Sequence, residues 1–247
     1  MNHVDGRADP RGTSLADQDE AQLGGPASVL VRQKREHLKL NGLLKKLQET
    51  SGPEQNRVLI RIYRLVFPHA FAEESVLWPV IRRVLPDGEA LTLQVEEEHQ
   101  EVNELVTELD GDLLDPSERR QVLTRLVTVL REDVRDEEDA LLPGLQKQLS
   151  VRQLRRLGVA WELVRRTAPT RPHPVVSRRP PGNALSALPL TVLDHLRDLC
   201  EVAAHRSPRS APALRNLSHH LAQAAGRVER FRGARRGERA RTKAENP

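Results

Sequence analysis

Cysteine is almost missing from this 247-residue chain: Cys200 stands alone. No internal disulfide can form and no multi-thiolate zinc or iron–sulfur site can be built, so any metal ligands must be imidazoles or carboxylates. Aromatic residues amount to 2%, and β-branched runs are scarce, which removes the usual vocabulary of sheets. No apolar run approaches the roughly 18 residues of a membrane span, and the opening MNHVDGRADPRGTSLADQDEAQLGG lacks the apolar centre of a signal peptide. The expectation is a soluble, cytoplasmic protein. What remains is rich in Leu, Arg, Glu and Ala, with 38% hydrophobic residues. That suffices for one sizeable helical domain with an appendage, so the fold class expected is all-α.

Charge divides the chain. Lys and Arg number 17 against 23 Asp and Glu over residues 27–149, but 20 against 7 over residues 150–247. An acidic first part is thus followed by a basic second part. Residues 1–25 are polar and without periodicity, and are read as a disordered leader. After Pro26, leucines at 30, 40, 43, 44 and 47 predict a first helix, broken at Gly52-Pro53. A second helix is expected over 54–85, a third from Pro86-Asp87-Gly88 to Asp110-Gly111, and a fourth from Asp115-Pro116 to about Leu149. Residues 150–168 predict an additional helix. Five prolines within 169–181 then impose an extended linker over about 169–183. Residues 184–231 read as a helical hairpin of unassigned role, and 232–247 as a basic disordered tail.

The chain repeats itself. HLKLNGLLKKL from His37 and HQEVNELVTEL from His99 share the His, the Asn four later and the Leu six and ten later, at an offset of 62. HAFAEESVLWPVIRRVL from His69 and DVRDEEDALLPGLQKQL from Asp133 share both Glu, a Leu, the Pro and the final Leu, at an offset of 64. In an up-down bundle such a duplication creates a pseudo-two-fold axis that brings matching positions together. About 20 Å of helix leads down from His37 and about 22 Å leads back up to His69, which levels the two imidazoles. The second half is less symmetric, roughly 17 Å against 26 Å between His99 and Asp133. His69 with Glu73, and Asp133 with Glu137, lie four apart on one helix face. With His37 and His99 they make six inward candidates of mixed imidazole and carboxylate character, suited to iron or manganese and less to calcium or structural zinc. A binuclear site is the natural reading.

The order His, HxxxE, His, HxxxE over about 100 residues, with EExxLxP following each helix pair, resembles the hemerythrin HHE cation-binding family over residues 27 to 149. The resemblance implies an up-down four-helix bundle with two non-haem irons, manganese ranking behind. His37 and His69 would serve one iron, His99 and Asp133 the other, and Glu73 and Glu137 would bridge. The family has His where this chain has Asp133. An Asp is shorter and anionic, can bind directly, through water or not at all, and favours ferric over ferrous iron. Reversible oxygen carriage therefore ranks below redox, peroxide or nitric-oxide chemistry, or sensing. Two other readings stay open: a metal-dependent sensor or interaction module without catalysis, and a structural bundle that has lost its metal. Whether the chain is an enzyme is left open too.

Other features read more plainly. His3, His173, His195, His205, His219 and His220 are taken as ordinary surface or core residues, and Lys34 and Glu36 as surface residues. Glu74, Glu98 and Glu138 neighbour the candidate ligands and are suited to orienting imidazoles. Pro68, Pro79 and Pro143 predict helix bends. Tyr63, Phe67, Phe71 and Trp78 read as core. The arginine-rich tail carries no interleaved aromatics or reading motif, so nucleic acid is not expected as a partner. The partners expected are a small diatomic molecule or peroxide, no membrane, and a protein docked on the basic C-terminal region as a further reading.

Overall fold

The computed structural model describes residues 13–111, 114–179, 181–207, 209–237 and 239–242. The described residues are all helical apart from connecting turns. Ser28 caps α1 (Val29–Glu49) by accepting from the Leu30 amide. α2 (Gly52–Ala72) runs through one π-helical turn (Glu73–Leu77) into α3 (Trp78–Val84). α4 (Gly88–Asp110) returns. α5 (Pro116–Asp136) starts on a capping box between Asp115 and Glu118 and passes through a second π-turn (Glu137–Leu141) into α6 (Leu142–Gln148). These elements form the four legs of the bundle.

The bundle has two apolar cores. One gathers Leu44, Ile62, Tyr63, Val106 and Leu126 from all four legs. The other gathers Leu30, Trp78, Ile81, Val95 and Leu142 at the opposite end, with Leu15, Leu23 and Trp161 added from outside the bundle. Between them lies a layer of buried His, Glu and Asp.

Both π-turns begin at a glutamate of the repeat. The Trp78 amide donates to the Glu73 carbonyl, and the Leu142 amide to the Glu137 carbonyl, each five residues back. Pro79 and Pro143 follow, and neither has an amide for the regular four-residue bond. The bends expected at these prolines are thus one-residue insertions into the helix, each beginning at a glutamate.

Three regions depart from expectation. Of the leader expected to be disordered, residues 1–12, with His3, lie outside the described residues, but 13–25 pack. Leu15 and Leu23 are fully buried, and the Lys34 ammonium donates to the Ala16 and Gln18 carbonyls. Composition missed this because two leucines in a polar segment suffice to anchor it. The Pro-rich linker does not run free; Thr170, His173, Ser177, Arg178 and Arg179 are buried against the bundle and hairpin. In the tail, residues 239–242 form a short turn around Ala240–Thr242, where Arg239 pairs with Glu89 and Arg241 with Glu97. Residues 243–247 lie outside the described residues.

The fifth helix, α7 (Val151–Arg166), packs on α1 and α2. Gly158 permits the approach, since a Cβ there would collide with the Ala27 carbonyl and the Val29 amide. α8 (Gly182–Arg206) starts earlier than the proline at 189 suggests and pairs with α9 (Ala211–Glu229) as the expected hairpin. No helix among the described residues is long and apolar enough to cross a membrane.

Candidate metal centre

All six repeat positions meet in the polar layer. His37, Glu73, His99, Asp133 and Glu137 are buried and His69 nearly so. The His69 Nε2 lies 3.0 Å from a Glu73 oxygen and the His37 Nε2 3.2 Å from a Glu137 oxygen. The His99 Nε2 lies 3.4 Å from Asp133 and 3.7 Å from the second Glu73 oxygen. The donor atoms fall into two groups, His37, His69, Glu73 and Glu137 in one and His99, Asp133 and Glu137 in the other, each with its atoms within 4.8 Å of one another. Glu137 is common to both. Glu73 also spans them, one oxygen facing His69 and the other His99.

Electrostatics argue for a cation here. Both oxygens of Glu73 and of Glu137, Oδ1 of Asp133 and Nε2 of His37 are buried without an aligned hydrogen bond. Such groups are costly to leave unsatisfied. Burial and the charges of Glu73 and Asp133 push the Glu137 carboxyl up to about 8. Burial opposes charge on the rings, but the facing carboxylates win: Glu137 and Glu138 raise His37 to about 9, and Glu73 with Glu36 raise His69. His99 is raised mainly by Asp133, with Glu74 adding. A cation is what would satisfy these buried donors, at the cost of displacing protons from the imidazoles and carboxylates.

The far side of each ring is held by a carboxylate. Glu138 Oε1 lies 2.9 Å from the His37 Nδ1, and Glu74 Oε1 2.9 Å from the His99 Nδ1. These are the second glutamates of the two Glu-Glu pairs, and they obey the pseudo-two-fold: the second helix orients the third and the fourth orients the first. Glu36 plays the same part for His69, with Oε2 3.3 Å from Nδ1. Glu36 is therefore no surface residue, and pairing with His69 keeps its carboxyl below the usual range despite burial. Its counterpart in the repeat, Glu98, lies near Asp133. Burial, then the charges of Asp133 and Asp136, push Glu98 up to about 8.

The aromatic frame was only half legible. Trp78 stacks over His99 with centroids 6.4 Å apart, more than the core role its apolar context predicts. Trp161, from α7, meets His69 edge-on at 5.3 Å, and Arg165 lies over the Trp161 ring. Nothing in the sequence points α7 at the site. Tyr63 is core, 6.0 Å from Phe67.

Two cavities adjoin the site. One of about 20 Å³ is lined by Leu40, Leu65, Val66, His69 and His99, room for about one water-sized molecule. The other, about 230 Å³, opens beside His37 between Ala16, Lys34, Arg131 and Glu138.

This four-legged bundle around a buried His and carboxylate layer defines a helical cation-binding domain. Residues 28–145 belong to the hemerythrin family, matching the model of its HHE cation-binding domain. The chain is 26% identical over 154 residues, 62% of its length, to an uncharacterized hemerythrin-like protein of Schizosaccharomyces pombe, of which 74% is covered. It is 28% identical over 119 residues, 48% of its length, to a DNA nickase of Nostoc sp., of which it spans only 33%. No solved structure matches it.

Proposed function

We propose that the chain is a cytoplasmic non-haem di-iron protein that meets oxygen, nitric oxide or peroxide in redox response or sensing. The observation that carries this is the pair of donor groups sharing Glu137. His37 and His69 would hold one iron, His99 and Asp133 the other, with Glu73 and Glu137 between them. Iron so held supplies redox chemistry and an open position for a small ligand. The chain's own part is to hold the rings by Glu138, Glu74 and Glu36 and to keep the layer dry between two apolar cores. The pocket of about 20 Å³ against His69 and His99 suits a ligand the size of a diatomic molecule or peroxide.

The test is metal analysis with optical spectroscopy on protein expressed with iron, against Glu73→Ala and Glu137→Ala. About two irons per chain, lost in both variants, is the expected result; a metal-free wild type sinks the reading. Manganese in place of iron would keep the ligands and change the chemistry.

A second reading, a metal-dependent interaction module, draws on a contact outside the family domain. Arg178 of the linker lies 3.6 Å from Glu74, which orients His99, so the C-terminal region touches the support of the site. Metal-dependent stability without turnover would favour this. Nicking is not carried over from the Nostoc relative. The tail arginines 239 and 241 are paired with Glu89 and Glu97, which favours an intramolecular role.

A further inference from the structure

α8 is amphipathic the wrong way round. Its charged residues face the rest of the protein: Asp194, fully buried, accepts from the Thr170 and Arg171 amides and lies 3.1 Å from the His173 Nε2. Asp198 and Glu201 pair with Arg171 and Arg64. Leu190 and Cys200 are buried. The remaining face carries Leu185 (55% exposed), Leu188 (74%), Val192 (50%), Leu196 (43%), Leu199 (65%) and Val202 (38%) in water.

The positions 185, 188, 192, 195, 199 and 202 are spaced three, four, three, four, three, the seam of a helix that packs on another helix. His195 is the single polar member. Beside the seam, Ala184, Pro189, Leu196 and Ala203 are uncharged, and the one acid, Asp198, is already paired with Arg64 and Arg171, so two identical faces meet without like-charge repulsion. The seam is also its own complement when reversed. About a midpoint between 193 and 194, Leu185 faces Val202, Leu188 faces Leu199 and Val192 faces His195, a closed two-fold arrangement.

We infer that α8 is a homodimer interface, two copies pairing antiparallel through this seam. From the exposures, the five apolar members of the seam, with Leu196 beside His195, offer roughly 550 Å² per copy. Fully covered, these give about 1,100 Å² for the pair, close to the approximate 1,000 Å² expected of a specific interface. A closed two-fold also explains why charges are directed inward: they fix α8 to its own chain and leave its apolar face for the partner.

Sedimentation equilibrium of the full chain between about 1 and 100 µM tests this, comparing wild type with Leu188→Lys/Leu199→Lys. The expected result is a wild-type dimer and a dissociation constant raised at least 100-fold in the variant, with unchanged helicity by circular dichroism. Orientation is read by mild oxidation on a Cys200→Ser background: Leu188→Cys/Leu199→Cys cross-links between chains and Leu188→Cys alone does not. A wild type that stays monomeric at 100 µM overturns the inference and leaves the face to a different partner. A dimer that survives the lysines places the interface elsewhere, and cross-linking by the single cysteine overturns the antiparallel pairing.

Discussion

At position 133 the repeat puts an aspartate where its first copy has His69, while the Glu-Glu pair that follows is kept. Glu36 lies against His69, and the matching Glu98 is left with Asp133, a second carboxylate, in place of an imidazole. Burial and the charges of Asp133 and Asp136 therefore keep Glu98 protonated to about pH 8. Asp133→His restores the missing partner. We expect it to tighten the second metal equivalent and slow autoxidation of the reduced protein, measured by metal titration and stopped-flow absorbance; an unchanged autoxidation rate would count against a role for Asp133 in setting oxidation state. Glu138 offers a complementary test, because it touches His37 only through the ring Nδ1. Glu138→Gln should weaken metal binding by about 10- to 100-fold, the usual cost of losing an orienting carboxylate, while the melting temperature of the metal-free protein stays close to wild type.

The elements that carry the site differ in how far the sequence announces them. Apolar spacing and the Gly, Pro and Asp breaks delimit α1 through α7 within a few residues, and the internal repeat brings six positions to one level. Glu36 was readable too, since a Glu precedes the His in both repeats (Glu36-His37, Glu98-His99). The contribution of α7 was not: no repeat partner marks Trp161, and its meeting with His69 depends on a helix crossing 92 residues away in sequence. That crossing rests on Gly158. Gly158→Ala should destabilise the protein by about 1 to 3 kcal/mol, the range for overpacking, seen as a lower urea midpoint with a change in tryptophan emission. The hairpin has its own fastening in His173, 3.0 Å from Glu229 and 3.1 Å from Asp194. Burial opposes protonation there, but the two carboxylates outweigh it and raise the ring to about 9. A raised value means stabilisation complete below the unfolded value near 6.5 and lost as pH climbs through about 9. Its size is on the order of 3 kcal/mol. Amide protection in α8 and α9 should fall between pH 7 and 9.5, and His173→Gln should abolish that dependence.

At the scale of the whole molecule, the basic half of the chain is bound to the acidic half by ion pairs that composition predicts only in sign. Glu96 is fully buried and is held by Arg82 and by the Nε and Nη2 edge of the Arg179 guanidinium, whose Nη2 lies 2.7 Å away. Proline content marks residues 169–181 as non-helical, but a non-helical segment can lie against a surface as readily as span a gap, and buried Arg178 and Arg179 decide between the two. Arg179→Ala leaves Glu96 with one partner. A loss of about 1.5 to 3 kcal/mol is expected, the range for lost hydrogen bonds to a charged group whose other partner remains, together with faster proteolysis within 169–181.

The first described turn of the chain has a bearing on traffic into the bundle. Ala16 forms part of the wall of the cavity beside His37, and the Ser14 hydroxyl donates to the Glu138 carbonyl. A short polar stretch, held by Leu15, Leu23 and Lys34, is thus one jamb of the opening beside His37: a chain trimmed of it would widen that opening with every candidate donor still in place.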